Sequence, residues 1–167
     1  RRSGASDDRE LYATAAGLGW LGLAVPAAAG GLALSMADCA VVFEAFGRGP
    51  LPGPFFSSAI LASRLMVAGT TGQVRADRLG AMVDGALRVV VTTTAGGSAW
   101  GPGSVTCTLT ATSDGYRLSG RERFVRDAQT ADAFICAARV ARDDDDEAIA
   151  LVFVERAADG VAVVPRD

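Results

Sequence analysis

The 167-residue chain contains no histidine. That single absence removes Ser-His and Cys-His nucleophile pairs, imidazole general bases and histidine-containing metal sites. Cysteine is scarce. Cys39, Cys107 and Cys136 are odd in number and far apart, a pattern that fits buried thiols in a reducing compartment better than a disulfide frame or a zinc site. Charge is also thin, at 21% of residues with a net charge of -3. The arginines are scattered, so the clustered positive footprint of a nucleic-acid-binding protein is missing. A membrane span is lacking too. Leu11 to Ala37 carries no charge, but Gly17, Gly19, Gly22, Pro26, Gly30 and Gly31 would break a spanning helix repeatedly. The Arg1-Arg2 start has no compact apolar centre or cleavage site behind it, so it does not read as a secretory signal. A cytoplasmic location is expected. No initiator Met is present and the chain stops just after Val164-Pro165, so it reads as a piece of a longer polypeptide.

What is present is an apolar half of the chain, enough for a sizeable core in one domain or two small ones. The organising stretch is Val89 to Trp100. It begins as a β-branched run suited to a half-buried strand and breaks into Ala95-Gly96-Gly97-Ser98. Such a break offers backbone N–H groups beside hydroxyls to a ligand. It is equally an ordinary strand end, and the pattern leaves both readings open.

Before that stretch the periodicity is helical. Leu11, Ala15 and Leu18 share a face behind Asp7 and Asp8, whose charges favour a helix start. Trp20 to Pro26 reads as an extended, buried connector, and Gly30-Gly31 as a sharp turn. Ser35 with Asp38 forms a capping signature, followed by a helix to Phe46 that buries Met36, Ala40, Phe43 and Ala37. Glu44 is a conceivable catalytic carboxylate, but Arg48 four residues on makes it one half of a solvated pair. Pro54 suits the first turn of a helix carrying Phe55, Phe56, Ala59, Ile60, Ala62, Leu65 and Met66. Its aromatics read as core rather than as a substrate lining. Thr70 and Gln73 repeat the capping signature before a helix to about Asp84, apolar at Val74, Leu79, Met82 and Val83.

After Trp100 the period becomes two. Val105, Cys107, Leu109 and Ala111 alternate with threonines, Ser113-Asp114-Gly115 makes a hairpin turn, and Tyr116 to Ser119 returns. Further strands are expected at Arg123–Asp127, Ala133–Val140, Ile149–Val154 and Val161–Val164. The acidic run Asp143 to Glu147 lacks the spaced ligands and bend glycine of a calcium loop and reads as a solvated hairpin loop. Helices first and an antiparallel sheet second give an α+β arrangement: an amino-terminal α-helical domain over residues 1–86, then an antiparallel β-barrel-like or sandwich domain over residues 87–167.

Five stretches go further by likeness. Leu18-Gly-Trp-Leu-Gly-Leu-Ala-Val-Pro26, Gly30-Gly31-Leu32-Ala33-Leu34-Ser35 and Phe43-Glu-Ala-Phe-Gly-Arg48 closely resemble the amino-terminal helical domain of acyl-CoA dehydrogenases. Arg117-Leu-Ser-Gly-Arg-Glu-Arg-Phe-Val125 and Ala131-Asp-Ala-Phe-Ile-Cys-Ala-Ala-Arg139 resemble that family's middle β-domain. The resemblance covers essentially the whole chain in order. It implies an FAD-dependent oxidoreductase that desaturates an acyl-CoA thioester between its α and β carbons. It also implies an electron-transfer flavoprotein or similar acceptor, a homo- or hetero-oligomeric assembly, and a carboxy-terminal helical bundle. The family's catalytic glutamate mostly lies in that bundle, so it is expected beyond Asp167, and no catalytic residue is assigned here.

The same likeness implies cofactor contacts at Val91, Thr92, Gly97, Ser98, Phe124, Val125 and Arg126, with Ser98 also near the thioester. No metal is implied. The family's Thr-Glu-Pro-x-Ala-Gly-Ser-Asp pattern falls on Thr92 to Ala99, with Thr93, Thr94 and Ala99 replacing Glu, Pro and Asp. Its Trp-Ile-Thr/Ser element falls on Phe124-Val125-Arg126, where a permanently charged guanidinium replaces a small hydroxyl. These departures keep two alternatives in view: a degenerate, non-catalytic subunit of a heteromeric dehydrogenase, or a related flavin oxidase or monooxygenase.

Overall fold

The run Val89–Thr92 forms strand β1, a short seam with helices on one side of it and the rest of a sheet on the other. In the computed structural model the described residues are 4–49, 51–69, 73–92, 101–141 and 148–165. The sheet holds β1, β2 (Cys107–Thr112), β3 (Gly115–Ser119), β4 (Ala133–Val140) and β5 (Ile149–Glu155). β4 lies at its centre. One edge of β4 pairs antiparallel with β5 from Ala133↔Glu155 to Arg139↔Ile149. Its other edge is shared end to end: β1 pairs with the first half (Val89↔Ala133 to Thr92↔Cys136) and β2 with the second (Cys107↔Ala138 to Leu109↔Val140).

Both of those pairings are parallel, which corrects the expectation of an antiparallel sheet. Residue alternation marks a strand but not its direction. β1 and β2 run the same way along one edge, and the segment after β3 brings the chain back to start β4 beside β1. The sheet is mixed, and among the described residues it does not close into a barrel. The β2–β3 hairpin forms where expected, but its turn is the two residues Ser113-Asp114, since Gly115 already pairs with Thr112 as the first residue of β3. Arg123–Asp127 and Val161–Val164 are not strands. Val125, Val161 and Val163 pack against the sheet's outer face without joining its ladder.

Burial explains why β1 reads as a continuous valine run. Val89 faces Val25, Ala62, Met66, Leu79 and Met82 of the helical layer. Val90 faces the opposite way, among Ala131, Phe134 and Cys136. A strand covered on both faces needs no polar alternation.

The helical layer comprises α1 (Gly4–Gly17), α2 (Met36–Arg48), a π-wound helix over Phe55–Ala62 continuing into α3 (Ser63–Gly69), and α4 (Gln73–Val83). Trp20 to Pro26 is buried as expected at Leu21, Leu23 and Val25 but is wound into a 3-10 turn rather than extended. Gly19 sits at φ +77°, which reverses the chain without strain. Gly31 is needed because a Cβ there would collide with the Val25 carbonyl. The Gly30-Gly31 turn then returns the chain over the connector, with the N–H of Leu32 and Leu34 donating to the carbonyls of Gly22 and Leu23 at 2.8 Å each.

Ser35 caps α2 with Asp38 in a reciprocal box. The buried stripe is Cys39, with Phe43 and Phe46 half-buried, whereas Met36, Ala37 and Ala40 are exposed. The spacing was right and the phase was wrong, because Trp20, Phe55 and Phe56 draw Phe43 and Phe46 inward. Glu44 and Arg48 form the exposed pair at 2.8 Å. Phe55 is core, but Phe56 stands half-exposed. The expected caps at Thr70 and the acidic run Asp143–Glu147 lie outside the described residues, as does the Val74 side chain. Among the described residues no helix is long and apolar enough to cross a membrane.

A mostly buried ion pair joins the starts of β1 and β4. Arg88, 5% exposed, immediately precedes β1, and Asp132 immediately precedes β4. The Arg88 Nε and Nη2 donate to the two carboxylate oxygens of Asp132 at 2.9 Å each, and the Arg88 backbone N–H adds a third bond at 2.9 Å. Arg9 of α1 approaches the same carboxylate at 3.6 Å. Burial pushes the Asp132 carboxyl up, but the Arg88 bonds and the two arginine charges outweigh it and hold it below its usual value. Arg88→Ala should destabilise the protein by about 3 kcal/mol in denaturant unfolding, because it strands a carboxylate in a part-buried site. A carboxyl lowered on folding contributes stability that is complete above its unfolded value, near ~4, and is lost as pH falls through the folded value. Asp132→Asn should therefore flatten the acid limb of the stability profile, and an unchanged limb would contradict this assignment.

Candidate functional site

Along one edge of β4 the pairing passes from β1 to β2 at Ala137. β1 ends at Thr92 opposite Cys136, and β2 resumes at Cys107 opposite Ala138. Gly97 and Ser98 belong to the intervening stretch and lie outside the described residues, as do Thr93, Thr94 and Ala99. The remaining expected contacts can be placed. Val91 is half-buried against the helical layer. Thr92 points to the outer face beside Val90 and is only 6% exposed. Its Oγ1 is buried without a well-formed hydrogen bond. The Cys136 thiol opposite it offers only a weak sulfur contact.

Val125 reaches the same outer-face cluster as Val90 and Cys136, so the end of β1 and the Phe124-Val125-Arg126 segment do converge. They do so through a turn instead of the expected strand. Phe124 has φ +56° and Asp127 φ +59°. The two left-handed residues bracket Val125 and Arg126 and prevent ladder pairing. A left-handed phenylalanine is a costly conformation for a bulky side chain. Here it drives Val125 inward and leaves Phe124 68% exposed. Arg126 is exposed as well.

Several bonds hold this turn. The Ser57 hydroxyl donates to Asp127 Oδ2 at 2.6 Å. The Thr130 N–H and hydroxyl both donate to the Asp127 carbonyl at 3.1 Å. From beyond β5, Arg156 Nη1 donates to the carbonyls of Ala128, Gln129 and Ala131 at 2.8, 3.2 and 3.2 Å. Sequence reading missed Ser57, Asp127 and Arg156. An isolated serine, aspartate or arginine carries no periodic signal, although the Arg-Phe-Val-Arg-Asp string does announce polar groups around an aromatic.

Glu122 lies behind the turn. Its Oε1 accepts the Cys107 thiol at 3.3 Å, and its Oε2 is buried with no partner among the described residues. Burial, reinforced by that carboxylate, pushes the Cys107 thiol up to about 12. Burial also raises Cys136 and Cys39. All three thiols are free and buried, so none is a ready nucleophile. Gly120 is required here, since a Cβ would come within 2.6 Å of Cys107 Sγ. Among the described residues no group of three acidic, cysteine or histidine side chains is placed to hold a metal ion.

The described part of the site therefore offers an outward aromatic ring, an unsatisfied buried hydroxyl and no activated nucleophile. Those features suit binding of a planar, polar-edged cofactor: the ring of Phe124 can stack on an aromatic system, and Thr92 retains an unspent donor. The Thr92 hydroxyl is covered, however, so a ligand would meet it only beneath the surface.

Comparison with known proteins agrees with the architecture. Residues 1–102 match the family model described as acyl-CoA dehydrogenase, N-terminal domain. No curated protein sequence matches the chain. Among solved structures, a variant of the Tcur3481-Tcur3483 steroid ACAD is 31% identical with a TM-score of 0.77, covering 95% of this chain and 42% of its own. The ChsE4-ChsE5 complex from Mycobacterium tuberculosis is 26% identical, TM-score 0.78, covering 93% and 40%. An acyl-CoA dehydrogenase complexed with FAD from Bacillus anthracis is 25% identical, TM-score 0.74, covering 97% and 28%. The chain thus spans less than half the length of these relatives. On the family-model match and the 31% identical relative together, it belongs to the acyl-CoA dehydrogenase family.

Proposed function

We propose that this chain forms the helical lobe and much of the β-lobe of an FAD-dependent acyl-CoA dehydrogenase. The observation that carries the reading is the convergence of the end of β1 with the left-handed Phe124 turn, in a family with an FAD complex among its solved members. FAD, when bound, supplies the hydride acceptor for α,β-desaturation of an acyl-CoA thioester. The chain's own residues bind and orient. Phe124 gives the ring a face to stack on, Val125 lies beneath it with Val90 on the outer face of the sheet, Thr92 contributes a hydrogen-bond donor, and Val91 backs β1 from the helical side. Gly97 and Ser98 are assigned to the cofactor's polar edge, and Ser98 also to the thioester, on the family resemblance alone. Glu122 accepts the Cys107 thiol and Asp127 the Ser57 hydroxyl; on the resemblance to the family we assign the base to the carboxy-terminal helical bundle, beyond Asp167. The electrons leave to an electron-transfer flavoprotein or a similar acceptor.

A second reading has its own support. Two of the matched structures carry paired names, ChsE4-ChsE5 and Tcur3481-Tcur3483, and Arg126 stands where the family pattern has a small hydroxyl residue. Under that reading the chain belongs to a non-catalytic subunit that holds a catalytic partner. Absorbance separates the two. The full-length protein, purified alone and with any co-purifying partner, should show a bound flavin spectrum under the first reading. A colourless preparation that also ignores added FAD would replace it with the second. A related oxidase or monooxygenase would instead consume oxygen in place of forming an enoyl thioester.

Arg126→Thr restores the hydroxyl and removes an exposed charge from the rim. It should raise FAD affinity about fivefold, the worth of one ordinary hydrogen bond, in equilibrium titration of the full-length apoprotein. A loss of affinity would mean that the guanidinium serves the cofactor directly.

A further inference from the structure

One turn of the helical layer bonds both to the start of β1 and to the turn at Asp127. Ser57 and Ser58 are consecutive, both buried, at 4% and 1% exposure. Ser58 Oγ accepts the N–H of Val89, the first residue of β1, at 3.2 Å. The Ser57 hydroxyl donates to Asp127 Oδ2 at 2.6 Å, across 70 residues of chain. Neighbouring side chains of an α-helix do not face one surface. Ser57 and Ser58 accordingly reach different segments, from a helix that is π-wound from Phe55 to Ala62. The winding has a local cause. The Ser63 N–H donates to the Ser58 carbonyl five residues back, and the Ser63 hydroxyl takes the Ala59 and Ile60 carbonyls at 2.7 and 3.2 Å. Isolated π segments of this kind recur at functional sites.

Asp127 is only half-buried, so water could serve its carboxylate in place of the Ser57 hydroxyl. What the bond does secure is the left-handed backbone at Asp127, and through it the strained Phe124 three residues earlier. A short hydroxyl–carboxylate bond is charge-assisted and directional, suited to holding a conformation that the chain would otherwise relax.

We propose that Ser57 and Asp127 are positioning residues for the cofactor seat: their bond fixes the turn that presents Phe124 outward beside the end of β1. The proposal rests on the flavin reading given above, and its test separates the two. Ser57→Ala, Ser57→Thr and Asp127→Asn are made in the full-length protein. The last keeps a residue type that tolerates the left-handed region but removes the charge. Hydrogen exchange of the amides of residues 124–130, measured on the apoprotein, reads the tether without any cofactor. Exchange there should quicken at least tenfold in Ser57→Ala and less in Asp127→Asn, with α4 and β4 unchanged. Ser57→Thr, which keeps the hydroxyl, should stay near wild type. In protein that binds FAD, Ser57→Ala should also weaken binding about tenfold and alter the visible band shape of the bound flavin, while Ser57→Thr restores both. Unchanged exchange in Ser57→Ala would overturn the tether. Faster exchange with wild-type affinity and spectrum would overturn its role in the seat. Wild-type protein that takes up no FAD would instead remove the flavin reading, leaving the exchange result to judge the tether alone.

Discussion

The Arg88–Asp132 pair is the constraint on which the remaining geometry depends. Each residue stands one position before a strand, and their three bonds at 2.9 Å set Val89 opposite Ala133. Once that first rung is fixed, the register carries Thr92 to Cys136, and a one-residue slip would turn every side chain of β1 to the wrong face. Parallel pairing cannot rely on a tight hairpin to set its register. A bidentate, mostly buried ion pair substitutes for the missing turn. Its value is in specifying this alignment, since a buried pair contributes less to net stability than its bonds suggest.

From that rung the site is built outward by polar contacts between segments remote in sequence. Ser58 holds the first residue of β1, Ser57 holds Asp127, and Arg156 gathers the carbonyls from Ala128 to Ala131. The apolar residues beneath them, Val90, Val125 and Cys136, exclude water from the seam. The result is a rigid floor with one exposed aromatic ring, in a chain that lacks histidine and whose cysteines are all kept protonated by burial. Such a floor suits a protein that leaves the electron chemistry to a cofactor.

Much of the fold was legible in residue order, and the reasons are specific. β4 declared itself over Ala133–Val140 because eight apolar or arginine residues with no turn former can hardly be anything else. The Ser35–Asp38 box, the Ser113-Asp114 turn and the Glu44–Arg48 pair are local interactions, complete within five residues. What stayed hidden is non-local. Arg88 and Asp132 are 44 residues apart, and nothing near either one names the other. Strand direction follows from the path between β3 and β4, not from alternation. The phase of α2 depended on which aromatics awaited it, so Met36, Ala37 and Ala40 were misplaced by about one position. Arg123–Asp127 looked like a strand because left-handed backbone at Phe124 violates the local preferences on which such readings rest, and departures of that kind concentrate at functional sites. For the proposed seat, likeness to the family is what pointed to Thr92 and Phe124. Ser57 and Asp127 emerged only from their contact.

The account stands or falls on where a flavin lies. A crystal structure of the full-length protein grown with FAD measures this directly. The account predicts the ring system against Phe124, with its polar edge toward the end of β1 at Thr92 and the Asp127 turn still bonded to Ser57. A flavin seated elsewhere, with Phe124 remote from it and Thr92 still sealed, would contradict it.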